Sequence, residues 1–503
     1  MKIRPCPVVV FVLGVALGPL LWPALAAETG EDQQQTEDSK SRATNTEADD
    51  LIEELSRLIA AVGGEPLLDE ARFNRITGSP CGRSLVYLVS EYVFNPAVPP
   101  ALDAVVAGLK DLPPGYPANP WKAATNGREL LLLMIDDFTE WCVFLPEIDG
   151  SEDNGLYHIQ RFAWLYFHNH AGRDFVQGRN PLTGEPLEVG LQFLEDFSAQ
   201  RGAFMWSPGS RARIEQWLKD PRIEIADYQK QQASEYGSWN EFFAREIIVD
   251  EESQTIPSRP ATMPLSEYPQ RDYIVVSPTD CIMNPLVQVL VEDAKVVRRL
   301  IENPLQRDTV LDVKGIPISL DRLLGNLDPK HKANFVGGTG LSCVLMPNTY
   351  HHFHAPVNGT VIHAELLTKE GTFGYFDWPN WVPLDGNVGR PGTDFSQFEA
   401  FERGVIVIEV KYADVDGKEL TGYVASIPVG LDTIGSVVLD KGIEKGKVVK
   451  RGYTRLGNFY YGGSLDILLF SKGLATGAVQ TRLGNQITLF NIGTTPPGGE
   501  HAP

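Results

Sequence analysis

The sequence predicts an α+β protein, a helical N-terminal domain followed by a mostly antiparallel β domain. Up to about residue 215, apolar residues recur at helical spacing. Beyond about residue 270, short runs of β-branched and aromatic residues alternate with Gly, Pro and Asn. Composition supplies a third observation. Of 503 residues, 43% are hydrophobic and 22% charged, which is ordinary globular usage and a length suited to two or three domains.

The elements follow in order. Lys2 and Arg4 precede an apolar run from Val8 to Leu21, broken by Gly14, Gly18 and Pro19, and Ala24-Leu25-Ala26 then offers small residues at the positions a signal peptidase reads. This pattern predicts a secretory signal over residues 1–26, cleaved before Ala27. The run is shorter than the roughly 20 residues of a membrane span, and an uncleaved anchor is the alternative. Residues 27–48 are polar and free of aromatics, so a disordered linker is expected. A helical domain follows over 49–215. Leu51, Leu55, Leu58 and Ile59 share one helix face, 129–144 reads as a buried helix, and Leu187, Leu191 and Leu194 form a third face around Gly190. Ser238 to Glu241 is a capping box that opens a helix carrying Phe242 and Phe243. The second domain spans 216–503, with strands expected at 273–276, 344–346, 404–410, 423–429 and 467–470.

Charge and cysteines narrow the function. There are 44 basic against 65 acidic residues, a net charge of -21. Nucleic acid needs a basic footprint, so this balance argues against it and no nucleic-acid partner is expected. Tight electrostatic adsorption to anionic lipid is disfavoured for the same reason. Of five cysteines, Cys6 lies in the signal, and Cys81, Cys142, Cys281 and Cys343 are too far apart for a CxxC motif. Export permits disulfides, but four buried thiols is the plainer expectation.

Three segments can carry chemistry. Asp280 sits in a turn after an apolar run. Tyr350 to Pro356 holds His351, His352 and His354, and on an extended segment His352 and His354 share one face while His351 takes the other. Gly462-Gly463-Ser464 leads into the apolar run 465–470. Asp, His and Ser are the set for an activated hydroxyl, with a base to take the proton and a carboxylate to orient the base. The two glycines permit backbone conformations in which Ser464 attacks its own preceding carbonyl. A Gly-Gly turn with an incidental Ser is the plainer reading of the residues alone. His352 and His354 could pair on a metal, but no carboxylate or Cys lies in the cluster, so no metal is expected.

In this order the three segments resemble the phosphatidylserine decarboxylase family of self-processing, pyruvoyl-dependent enzymes. Residues 239–246 resemble its "neFFtRe" helix, Val313-Lys314-Gly315 with Leu323-Leu324-Gly325 its "VKG…LLG" stretch, and Pro428-Val429-Gly430 with Ile434-Gly435-Ser436 its "vgA..VGSI" strand pair. The resemblance covers about residues 225 to 475, and 50–215 more loosely resembles the N-terminal domain of fungal-type tryptophan decarboxylases. It implies that Ser464 becomes a pyruvoyl group after cleavage at Gly463-Ser464. His354 and Asp280 would then complete a processing triad, and His351 would serve decarboxylation. The pyruvoyl group would be the only cofactor. Its carbonyl would form a Schiff base with the substrate amine and act as an electron sink. Three departures stand out: Leu465 where the family has a hydroxyl residue, Cys281 where it has Gly, and His352 where it has Arg. The loop 452–457 also lacks the family's acid.

The resemblance implies conversion of phosphatidylserine to phosphatidylethanolamine, with peripheral membrane contact and a homodimer compatible with it. A soluble amino acid such as L-tryptophan is the alternative substrate. A non-catalytic exported relative is the reading from another class, supported by Leu465 and the altered loop.

Overall fold

The computed structural model describes residues 53, 56, 67–109, 119–145, 158, 161–162, 164–165, 169–259, 274–292, 295–300, 305–313, 316–345, 348–367, 403–413, 417–431, 437–460 and 463–475. The predicted signal over 1–26, the linker over 27–48 and the Leu51 to Ile59 face lie outside them. Helices come first: α1 (Glu70–Thr77), α2 (Gly82–Phe94), α3 (Val98–Gly108), α4 (Gly127–Val143), α5 (His170–Val176), α6 (Val189–Met205), α7 (Ile214–Leu218) and α8 (Trp239–Phe243). Strands begin at Ile282, so the α+β expectation holds.

Short polar side chains start the helices. Asp69, Asn126, Asn169 and Ser238 each accept a backbone N–H from the first turn of the helix they open, which satisfies donors that otherwise have no intrahelical partner. The box at Ser238 is half formed, since the Glu241 carboxylate reaches the Gly237 N–H instead of Ser238's own. Helix α4 is the hub of the helical region. Phe138 on it meets Phe193 at 4.9 Å and Phe197 at 4.8 Å in edge-on contacts, a geometry favoured by the ring quadrupole. Leu187 falls before α6, and the buried stripe of that helix is Phe193, Leu194 and Phe197. Gly190 is needed there, because a Cβ would lie 2.3 Å from the Phe175 carbonyl oxygen.

A disulfide joins Cys81 to Cys142 across 61 residues. This corrects the expectation of four thiols; Cys281 and Cys343 remain free. Buried Arg201 donates to the carbonyls of Trp141, Cys142 and Phe144 at the end of α4. Packing then runs across residue 215, because Leu145 and Met205 share a cluster with Trp217, Trp239, Phe242 and Phe243.

Among the described residues the β region forms three antiparallel sheets. The largest has the order β1 (Ile282–Pro285), β6 (Thr339–Leu345), β14 (Gly463–Phe470), β10 (Glu419–Leu431), β9 (Arg403–Ala413), β8 (Gly359–Leu367) and β12 (Val448–Val449). A three-stranded sheet comprises β11 (Val437–Leu439), β13 (Arg455–Phe459) and β7 (His352–His354). A four-stranded sheet runs β3 (Lys295–Leu300), β2 (Val287–Glu292), β4 (Val310–Val313) and β5 (Ile316–Ser319). The run expected as a strand at 273–276 is irregular over 274–276, where the Val276 N–H bonds the Pro356 carbonyl. Pro278 just beyond removes a ladder donor. Among the described residues, no helix is long and apolar enough to cross a membrane.

In the chain-entropy account, closing 61 residues contributes about 4 kcal/mol. Replacing Cys81 and Cys142 by Ser should therefore lower the melting temperature of the oxidised protein by many degrees. Reductant should lower the wild type comparably and the double variant hardly at all. Equal responses to reductant would show that the bridge does not form.

Candidate active site

The site is organised by β14. Its residues pair with β10 on one side and β6 on the other, with Ser464 opposite Gly430 and Leu345. Alternation sends Leu465, Ile467 and Leu469 to one face, where they join Val344, Ile427 and Val429. Ser464, Asp466, Leu468 and Phe470 take the other face, where Leu468 and Phe470 pack with Phe353 and Phe459 of the three-stranded sheet. Leu465 therefore points away from Ser464, into a core. Ser464 is 3% exposed and its Oγ has no hydrogen-bond partner. Buried hydroxyls nearly always have one, so an orphan needs an explanation.

The histidines come from β7, which pairs with β13. The two faces are as expected. His352 and His354 both lie against Tyr350, at 5.0 and 5.6 Å between ring centroids, while His351 stacks on Phe243 at 3.7 Å. The Phe459 N–H bonds the His351 carbonyl at 2.8 Å, which ties this segment to the chain leading toward Gly463. His354 Nδ1 lies 3.2 Å from the Tyr453 carbonyl. A carbonyl only accepts, so Nδ1 carries the proton and Nε2 accepts from the Tyr350 hydroxyl at 2.8 Å. By the same logic His352 Nε2 donates to the Ala244 carbonyl at 2.9 Å. Burial is the main cause that keeps all three rings neutral, lowering His352 to about 4, His354 to about 3 and His351 well below the usual range.

Asp280 lies two residues before β1. Its carboxylate accepts from Arg259 Nε at 2.9 Å and Nη2 at 2.5 Å, and the His354 N–H bonds the Pro278 carbonyl at 2.8 Å. Asp280 and His354 are thus backbone neighbours, but no hydrogen bond joins their side chains, and none joins His354 to Ser464. Arg259 also pairs with Asp227 at 2.6 Å. Asp280, Arg259, Arg222, Tyr228, Asn348 and Thr349 line a cleft of about 540 Å³.

Sequence reasoning missed Arg259, which no motif marks, and the holding role of Tyr350, which lies inside the quoted histidine segment. It also missed Asp466, the one charge in the apolar run after Ser464. Asp466 is fully buried and accepts from Ser426 Oγ at 3.0 and 3.2 Å. Burial raises it to about 7, against the opposing bonds from Ser426 and the Ile427 backbone. Cys343 faces it across the β6–β14 ladder. Among the described residues, no group of three His, Cys, Asp or Glu side chains is gathered as a metal site.

Chemically, the arrangement offers a buried hydroxyl after a glycine and a neutral imidazole with a free-electron-pair nitrogen held by a phenol. Beside them, an Arg259-clamped carboxylate lines an open cleft.

Comparison with known proteins adds to this. The family model for phosphatidylserine decarboxylase matches residues 239–489. The chain is 27% identical over 241 residues to the phosphatidylserine decarboxylase proenzyme 3 of Schizosaccharomyces pombe, covering 48% of this chain and 19% of that protein. It is 27% identical over 317 residues to the phosphatidylserine decarboxylase proenzyme of Clostridium perfringens, covering 61% and 88%. With the L-tryptophan decarboxylase of Psilocybe cubensis it shares 29% identity over 153 residues, 30% and 33% of the two chains. The chain thus spans about a fifth of the Schizosaccharomyces pombe protein and most of the clostridial one.

The buried acid and the buried histidines give opposite pH dependences. With folded values near 3 and 4 against 6.5, the histidines bind protons more readily unfolded, so they remove stability as pH falls from 6.5 toward 4. Asp466, at about 7 against 3.8, holds its proton more tightly in the fold, so its contribution is lost as pH rises from 3.8 to 7. Asp466→Asn should therefore raise the melting temperature by several degrees at pH 8 and change it little at pH 4. Thermal scans of the two proteins across that range test this. Parallel curves would show that Asp466 does not titrate there.

Proposed function

Because residues 239–489 belong to the phosphatidylserine decarboxylase family, we propose that this chain is a self-processing pyruvoyl decarboxylase. It is cleaved between Gly463 and Ser464 and removes CO2 from the serine headgroup of phosphatidylserine, giving phosphatidylethanolamine. The observation that carries this reading is Ser464 itself: a buried, unpartnered hydroxyl placed after a glycine at the head of a central strand.

Processing uses this chain's own groups. Ser464 Oγ attacks the Gly463 carbonyl carbon and the peptide shifts from nitrogen to oxygen, giving an ester. Elimination releases the Gly463 carboxylate and leaves a dehydroalanine, which water converts to a pyruvoyl group and ammonia. His354 is the base, because its Nε2 carries an electron pair at neutral pH. Tyr350 must release that nitrogen, and Asp280, clamped by Arg259, supplies the compensating charge near the His354 backbone. Residues 465–470 stay paired on both sides, so the new N-terminus keeps its place after cleavage. The pyruvoyl carbonyl supplies an electron sink for the amine substrate. His351, on the face opposite His354, is the candidate proton donor to the carbon that loses CO2.

The same proposal includes export, which the Cys81–Cys142 bridge supports because such bonds persist in oxidising compartments. It also includes the division into domains at about residue 215, peripheral contact with the bilayer that presents the headgroup, and a homodimer. A soluble amino acid is the second reading, favoured by the likeness to an L-tryptophan decarboxylase.

Intact-mass measurement under denaturing conditions tests the core of the proposal. Wild-type protein should yield a fragment of 40 residues from 464 onward in this sequence, blocked by pyruvoyl. Ser464→Ala should stay uncleaved and inactive. The processed protein should release CO2 from phosphatidylserine faster than from tryptophan. Uncleaved wild type under every condition would favour the non-catalytic relative.

A further inference from the structure

One buried charge has no place in the processing chemistry. Arg245, two residues past the end of α8, is 1% exposed. Its Nη2 donates to the carbonyls of Asn348 at 2.7 Å and Thr349 at 3.1 Å. Its Nε and Nη1 make no hydrogen bond of ordinary geometry, the Tyr228 side chain interacts with the guanidinium, and among the described residues no carboxylate pairs with it. Its guanidinium lies over the rings of Tyr228 at 4.4 Å and Phe242 at 5.4 Å. A buried cation without a counter-ion is unfavourable, and its remaining N–H groups leave it able to donate to an oxyanion.

A second observation points to the same place. His351 lies two residues beyond the Thr349 carbonyl that Arg245 holds; its ring interacts with that same backbone, and its buried Nδ1 makes no hydrogen bond of ordinary geometry. Burial first, and then the Arg245 charge, keep this ring neutral. An anion between the two would give Arg245 its counter-ion and ease protonation of His351. Access is short, because Tyr228, Asn348 and Thr349, all touching Arg245 or its ring face, are walls of the 540 Å³ cleft.

We propose that Arg245 is the oxyanion-binding residue of the substrate site, its Nη1 donating to one anionic group of the substrate beside His351. This rests on the decarboxylase reading. Two groups of the substrate share the required chemistry. The α-carboxylate is present in any amino-acid substrate and is lost as CO2. The phosphodiester is present only in the lipid headgroup and is kept in the product.

The test uses the processed full chain, wild type and with Arg245→Gln or Arg245→Lys. Appearance of the fragment that begins at residue 464 reports that a variant has folded and matured. Binding is read first, as the shift in melting temperature with glycerophosphoserine, with glycerophosphoethanolamine, which lacks the carboxylate, and with L-serine, which lacks the phosphodiester. The wild type should be shifted and matured Arg245→Gln should not, with Arg245→Lys between them. In turnover the Gln variant should lose at least tenfold in kcat/KM, mostly through KM. A shift with glycerophosphoethanolamine that depends on Arg245 assigns the phosphodiester; one confined to the two serine compounds assigns the carboxylate. Matured variants that bind and turn over like the wild type overturn the proposal. So does a wild type that binds none of the three, or failure of both variants to mature, which would make Arg245 a residue of the fold. A wild type that binds through Arg245 and releases no CO2 would instead defeat the decarboxylase reading alone.

Discussion

The structure depends on one strand being held from both sides. β14 lies between β6 and β10, with its apolar side chains divided between two cores. Each buried Leu, Ile or Phe on it contributes about 1.5–3 kcal/mol, and the ladders add hydrogen bonds on both edges. Such a strand resists movement at its first residue. That is what a chain needs if it is to break its own backbone there and then use the new terminus. Leu465 fits the proposed cleavage: it places no hydroxyl beside the bond to be broken and is anchored in the core formed with Val344 and Val429.

Burial that fixes the strand also sets the electrostatics. Three histidines lie in a shell from which water is largely excluded, so each stays neutral. Carbonyl partners choose the tautomers of His352 and His354, leaving one electron-pair nitrogen on each ring. Asp466, in the same environment, is pushed toward the protonated form. The charged groups stand at the margin instead: Asp280 on Arg259 at the cleft, and Arg455 between Asp440 and Glu246. Low dielectric favours neutral groups around the histidines, and the buried Arg245 cation is the exception there.

Much of the fold was legible in the sequence because its signals are local. Helical spacing marked α4, and alternating β-rich runs marked β6, β9, β10 and β14. The start of α6 was misplaced because Leu187 continues the apolar spacing into a turn. Residues 274–276 look like a strand but form no ladder, bonding Pro356 through the Val276 N–H and Arg451 through the Ile274 carbonyl, and Pro278 follows. The Cys81–Cys142 bridge could not be read from spacing, because the pairing depends on how α2 and α4 pack. Asp280, His351, His354 and Ser464 were legible as a constellation in order along the chain. Their partners Arg259, Tyr350 and Tyr453 were not, since those contacts join segments far apart in sequence or lie inside a motif with no separate signal.

The resting arrangement around His354 bears on how such a chain avoids premature chemistry. Its one electron-pair nitrogen is occupied by the Tyr350 hydroxyl, and the phenol keeps its proton because burial raises its pKa. Asp280 is turned to Arg259, and Ser464 Oγ makes no bond at all. The three groups proposed as nucleophile, base and carboxylate therefore form no hydrogen-bonded relay in this arrangement. For the proposed chemistry Tyr350 must give up this hydrogen bond, while the Pro278–His354 bond and the ladder at Ser464 hold the backbones. Catalytic hydrogen bonds are often loose before reaction and tighten as it proceeds. On the proposed function, a base held by one phenol would stay quiet until that hydrogen bond is released.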